Sequence, residues 1–113
     1  VLGKLPAGRV KIIGGLSRFY CNIVAGSATI DIGNQAYTDT SGTAVAADAD
    51  GMVDGLDVDT AGYFTMEGNT AAQKLLGGNH KFDSNDGVII EITSVAALAN
   101  DDDVAGVITY IVS

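Results

Sequence analysis

Polar and apolar residues alternate in several short stretches of this chain. In Arg9–Ile13 the alternation places Val10 and Ile12 on one face of an extended strand. In residues 28–33 apolar residues alternate with Thr and Asp in the same way. Both stretches therefore predict β-strands with one buried and one solvated face.

Further runs rich in β-branched and aromatic residues also predict strands. Val88–Val95 has the composition of a central strand, and Gly14-Gly15 predicts either a bend within one long strand or a tight hairpin. The stretch with helical propensity, Thr70–Leu76, is only about two turns long. The other predicted strands are Leu16–Val24, Met52–Asp59, Gly62–Met66 and Val104–Val112.

Roughly seven short strands separated by polar turns predict an all-β fold, an antiparallel two-sheet β-sandwich of Greek-key or jelly-roll type. We expect residues 1–113 to form one such domain, with long surface loops and at most one short helix. A long loop with at most a short strand is expected over Asn34–Asp50, which is short of large apolar residues. Loops of this length are usually functional or ordered by a partner.

The composition agrees with a folded domain and narrows the function. Of the 113 residues 47% are apolar and 18% are charged, unlike a disordered chain. The net charge of −8 repels a phosphate backbone unless the cations are gathered on one face, so we expect no nucleic-acid partner. No apolar run approaches the roughly 20 residues of a membrane span, and Val1–Lys4 lack the layout of a secretion signal, so we expect no membrane partner.

Few residues are available for catalysis. Cys21 is the only cysteine and lies in an apolar run, where we expect a buried, inert thiol. His80, the only histidine, would have to be the base of any hydrolytic triad, but it lies in a polar stretch typical of a surface histidine. The chain contains neither a Gly-x-Ser-x-Gly elbow nor a phosphate-binding loop. We therefore expect no enzyme, no catalytic residue and no cofactor.

Acidic residues are densest between positions 48 and 59. Asp48-Ala49-Asp50-Gly51 resembles the opening of a calcium loop, but the third Asp before the glycine and the distant bidentate Glu are missing. Alternate carboxylates on a strand also project together onto its solvent face, where they discourage unwanted strand pairing. We assign no metal site and take as candidate partner-binding residues Asp48, Asp50, Asp54 and Asp57.

Several stretches together resemble small structural proteins from tailed bacteriophages: Leu5–Val10, Ala28–Gly33 and Ala47–Gly55. The similarity continues through Asp57–Gly62 and the closing hydrophobic strand. Resemblance to this family implies a capsid decoration, or cement, protein. Such a protein is a β-sandwich, often a trimer, that binds the outer surface of an assembled phage head and clamps neighbouring major capsid subunits. The resemblance assigns no individual binding residue.

In that role the acidic loop from Thr38 to Asp59 would guide docking onto basic capsid residues, and apolar contacts would supply most of the affinity. The alternative is a carbohydrate-binding or adhesive β-sandwich module of a phage tail or cell-surface protein, which would bind glycans through exposed Tyr and Asp side chains. A calcium-dependent extracellular module is a variant of that alternative. A small hydrolase built around His80 is a third hypothesis.

Overall fold

A computed structural model shows a chain built almost entirely of β-strands. It describes residues 2–22, 29–57, 62–67, 79–94 and 103–112. The strands form several antiparallel sheets, which confirms the prediction of an all-β fold. In chain order they are β1 (Gly3–Leu5), β2 (Gly8–Ile12), β3 (Arg18–Asn22), β4 (Thr29–Asn34), β5 (Tyr37–Thr38), β6 (Ala44–Val45), β7 (Asp48–Asp57), β8 (Gly62–Thr65), β9 (Lys81–Ser84), β10 (Val88–Ser94), β11 (Asp103–Val107) and β12 (Tyr110–Val112).

The largest sheet has four antiparallel strands in the order β1-β10-β4-β7. Strand β10 lies between two neighbours, as its β-branched composition predicts. On β4 the side chains of Ile30 and Ile32 are fully buried while that of Asp31 lies on the other face. Strand β1 was not predicted, because its three residues carry no pattern of their own and are ordered by pairing with β10.

Two three-stranded sheets, β12-β2-β9 and β11-β3-β8, share two chain segments. Strand β2 continues into β3 through a 3-10 turn at Gly14–Leu16, and β11 continues into β12 through two residues. The register pairs Ile12 with Tyr110 in one sheet and Arg18 with Val107 in the other. Between these pairs, the segment that joins β2 to β3 is therefore three residues longer than the segment that joins β11 to β12. The extra residues form a bend.

This bend settles two predictions. Gly14-Gly15 was predicted to form either a bend within one long strand or a tight hairpin. It lies at a bend between β2 and β3, which belong to different sheets, so it does not form a hairpin. The closing strand Val104–Val112 is divided into β11 and β12, because its two halves pair with different sheets. A continuous pattern of apolar residues cannot reveal such a division.

A single cluster of buried apolar side chains draws residues from all three of these sheets. Its fully buried members include Ile12, Met52 and Ile90, together with Cys21. Burial raises the pKa of the Cys21 thiol to about 11, so the thiol stays protonated and weakly nucleophilic at neutral pH. The expected buried cysteine is confirmed.

The loop expected over Asn34–Asp50 contains more regular structure than its composition indicates. Strands β5 and β6 form a hairpin, in which Oδ1 of Asp39 accepts hydrogen bonds from the N–H groups of Ser41 (2.9 Å) and Thr43 (2.8 Å). A bridge between Asp39 and Ser84 holds the hairpin against β9, and β7 begins inside the predicted loop. The prediction was wrong here, because a polar composition does not reveal backbone pairing with distant strands.

Several predicted features lie outside the described residues. They include the end of the Leu16–Val24 strand, the short helix over Thr70–Leu76 and the end of the Met52–Asp59 strand. The predicted strand Gly62–Met66 lies within the described residues and is confirmed as β8.

Candidate partner-binding surfaces

The four candidate carboxylates lie on β7, an edge strand of the four-stranded sheet. Asp48, Asp50, Asp54 and Asp57 are all exposed. The same strand buries Met52 and Val53, so its middle contributes to the core while its carboxylates stay at the surface. The structure thus places all four residues on one surface element.

The pairing of β7 with β4 is irregular at Gly55, which in the sequence interrupts the alternation of apolar and acidic residues along this strand. Its φ of 64° lies in the left-handed region that glycine adopts without strain. Oδ1 of Asp31, on β4, accepts the Gly55 N–H at 2.7 Å and fixes this bulge. The alternation along β7 therefore breaks between Val53 and Leu56.

A second irregularity brings Asp48 and Asp50 together. The Asp48 carboxylate folds over Gly51, where an added Cβ would lie 2.5 Å from Oδ2. A hydrogen bond that the protonated carboxyl group of Asp50 donates to Asp48, together with the negative charge of Asp54, raises the pKa of Asp50. An isolated molecule therefore holds like charges close together on this strand.

His80 approaches the same part of β7 from the residues that precede β9. Burial lowers its pKa, while the charge of Asp48 and a hydrogen bond that the ring donates to the Gly51 carbonyl oppose that effect. Its Nε2 atom is buried without a hydrogen-bond partner in the described structure, and its ring stacks on Phe82 with centroids 6.3 Å apart. The histidine is thus more buried than its polar sequence neighbours indicate.

No group of three or more His, Cys, Asp or Glu residues within the described ranges is arranged to hold a metal ion. Asp48 and Asp50 lie close enough together that a side-chain hydrogen bond between them raises the pKa of Asp50. The calcium-loop resemblance therefore gains no ligand set from the residues described on β7.

A second surface, which sequence reasoning missed, is the outer face of the β11-β3-β8 sheet. Leu16, Tyr63 and Val107 are 63%, 80% and 68% exposed. The rings of Tyr20 and Tyr63, opposite each other in the register, lie 5.2 Å apart between centroids. With Arg18 these residues line a shallow groove of about 830 Å³, and we call the five together the apolar face.

The alternation on β3 was a signal for this face. Phe19 and Cys21 are buried, so Arg18 and Tyr20 must lie on the opposite side of the strand. The sequence does not show that Tyr63 and Val107 are neighbours of Tyr20 and Arg18, because that depends on the register with β8 and β11.

Comparison with protein-family models, curated proteins and solved structures finds no match. Among the described residues, no helix has the length and apolar character that crossing a membrane requires.

Proposed function

We propose that this chain is a viral structural protein that decorates the outer surface of an assembled bacteriophage head and stabilises contacts between major capsid subunits. In this proposal the strands form a two-sheet β-sandwich of Greek-key or jelly-roll type, the protein acts as a trimer on the virion, and it has no enzymatic activity. The resemblance of Leu5–Val10, Ala28–Gly33 and Ala47–Gly55 to decoration proteins of tailed phages supports this role.

The observation that carries the proposal is the apolar face. Tyr63 and Val107 are exposed on a sheet whose opposite side belongs to the core, and Leu16 is exposed beside them in the adjoining 3-10 turn. Exposed apolar surface of this kind marks protein interfaces, and Tyr and Arg are enriched among the residues that dominate binding energy. A three-stranded sheet also holds these side chains at fixed spacing, which lowers the entropic cost of docking.

The acidic strand β7 supports the same role in a different way. Its carboxylates would attract basic groups on a partner and accelerate docking, with an effect that salt screens. A decoration protein that binds only the assembled shell stabilises that shell by mass action. Neither step requires a catalytic group.

Co-sedimentation with undecorated phage heads tests the proposal. Saturable binding with a fixed number of copies per head, together with greater heat resistance of the shell, is the expected result. Val107→Asp should weaken binding at least about tenfold, because a carboxylate would be desolvated at the interface. Val112→Asp is the matched control, since Val112 is 56% exposed on the edge strand β12 outside the apolar face. Absence of binding by the wild-type protein would reject the proposal.

A carbohydrate-binding or adhesive module is the second candidate, favoured by one observation. The ring of Tyr63 is 80% exposed and lies beside that of Tyr20, so the pair offers an aromatic surface on which a sugar ring could stack. A glycan array on the wild-type protein and Tyr63→Ala tests it. Saturable binding of a glycan that is lost in Tyr63→Ala would favour this candidate over capsid decoration.

A further inference from the structure

The outer face of the β12-β2-β9 sheet gathers three of the six Lys and Arg residues of an otherwise acidic chain. Arg9, Lys11 and Lys81 line, with Ile111, a shallow groove of about 400 Å³, which we call the basic groove. Among the lining residues that the structure describes, Asp83 is the only carboxylate, and its Oδ2 lies 4.0 Å from Nε of Arg9. The groove therefore keeps a positive surplus on a protein whose net charge is −8.

The strand register makes this surplus unfavourable in an isolated molecule. Lys11 lies directly opposite Lys81 in the pairing of β2 with β9, and like charges at opposite positions destabilise a sheet. On its other side Lys11 faces Ile111, an exposed apolar residue. A partner that brings carboxylates and covers Ile111 would relieve the repulsion and bury apolar surface.

Strand β7 of the same chain has the complementary character. It carries Asp48, Asp50, Asp54 and Asp57 and contains no Lys or Arg. The side chains of Asp48, Asp50 and Asp54 lie close enough together to affect one another's titration, so this strand concentrates acidic groups. The charge of β7 is therefore opposite to that of the basic groove.

We propose that the basic groove of one molecule docks onto β7 of a second copy of this chain. The proposal rests on the partner-binding role of β7 stated above, and it concerns molecules that are not bound to a capsid, in which β7 is not engaged by the shell. Because the two surfaces differ, each copy uses its groove toward one neighbour and its β7 toward another. Such a head-to-tail contact closes into a ring when the rotation permits and otherwise extends into a filament.

Analytical ultracentrifugation of the purified chain without capsids tests the proposal. The fraction of associated molecules should rise with protein concentration, and the association constant should fall as salt screens the charges. Lys11→Glu and Asp50→Lys should each weaken self-association by about tenfold or more. Lys4→Glu and Asp86→Lys change the net charge equally at exposed positions outside both surfaces, and they should leave self-association unchanged.

Mixing the two weakened variants gives the sharpest result. Lys11→Glu removes the positive surplus of the groove but leaves β7 intact, and Asp50→Lys weakens the charge of β7 but leaves the groove intact. In an equimolar mixture the groove of the Asp50→Lys variant can dock onto β7 of the Lys11→Glu variant, so the mixture should associate more strongly than either variant alone. A capsid-binding or polyanion-binding groove would not produce this recovery. The mixture also shows that loss of association does not come from misfolding, because each variant must remain competent to recover it.

Three outcomes would overturn the proposal. One is a wild-type protein that stays monomeric at low salt and at its highest soluble concentration. Another is self-association that neither Lys11→Glu nor Asp50→Lys alters. The third is a loss of self-association in Lys11→Glu but not in Asp50→Lys, with no recovery of self-association in the mixture. That result would mean that the groove binds an acidic surface other than β7. Failure of capsid co-sedimentation with normal self-association would reject capsid decoration and leave this contact in place.

Discussion

The hydroxyl of Ser17 accepts a hydrogen bond from the backbone N–H of Thr109 at 3.0 Å, across a separation of 92 residues. The same hydroxyl donates to the carbonyl of Ile13 at 2.8 Å. In return, the hydroxyl of Thr109 donates to the carbonyl of Leu16 at 2.9 Å. These bonds lie where both chain segments pass from one three-stranded sheet to the other, so they satisfy backbone groups that the bend removes from strand pairing.

Ser17→Ala should lower the free energy of unfolding by about 1–3 kcal/mol, because it leaves the partly buried N–H group of Thr109 without its partner. Urea denaturation measures the change. The exposed Ser41→Ala serves as the control and should stay within about 0.5 kcal/mol of wild type. Equally small losses of stability in both variants would show that the bend does not depend on this hydrogen bond.

Gly33→Ala should destabilise the protein by about 1–3 kcal/mol through overpacking. The backbone of Asp48 and Ala49 on β7 occupies the space that a Cβ at Gly33 would need. Gly3→Ala is the matched control, since no atom lies within 4 Å of a Cβ at that strand position. Similar melting temperatures for the two variants would contradict the close approach of β7 to β4.

Stability should fall as the pH drops below about 6.5, the usual pKa of histidine, because burial lowers the pKa of His80 in the folded protein. Between the folded and unfolded pKa values the unfolded chain binds more protons, so stability rises with pH there and is complete above the unfolded value. His80 is the only histidine. In His80→Phe the loss of melting temperature between pH 7.5 and 5 should therefore be smaller than in wild type. If the melting temperature of His80→Phe depends on pH as that of wild type does, protonation of the buried His80 ring does not destabilise the folded protein.

The Cys21 thiol should resist thiol reagents at pH 8 in the native protein, since its side chain is completely buried and its pKa is raised to about 11. Labelling with a disulfide reagent should proceed only through opening of the structure, and it should reach one equivalent in denaturant. Rapid native labelling would mean that β3 opens readily under native conditions.

Replacing Asp48, Asp50 and Asp54 together with Asn should reduce the salt dependence of binding to a partner shell, because attraction to basic groups is lost while the shape of β7 is kept. Co-sedimentation at low and high salt measures the effect. The same replacement at Asp31 is not a suitable control, because its carboxylate accepts the Gly55 N–H. Asp86→Asn, in an exposed turn, is the better comparison. Binding with an unaltered salt dependence would exclude β7 as an electrostatic anchor.

The sequence by itself determined the features that depend on neighbouring residues. The period-two alternation in β2 and β4 identified their buried faces, and the β-branched run of β10 indicated a central strand. Gly55 marked an interruption of β7, because its missing side chain permits the left-handed backbone there. The apolar run around Cys21 correctly indicated a buried thiol.

Only the tertiary structure decided which strands are neighbours, because register joins residues that are distant in the chain. The pairing of Tyr20 with Tyr63 creates the apolar face, and the pairing of Lys11 with Lys81 gathers positive charge on an acidic protein. Composition averages that charge over the whole chain, so it hides a groove of opposite sign. The β5–β6 hairpin likewise depends on the Asp39 turn and the bridge to Ser84, which a polar sequence does not specify. Local patterns fix the face of a strand, while the long-range pairing that forms each binding surface exists only once the core has assembled.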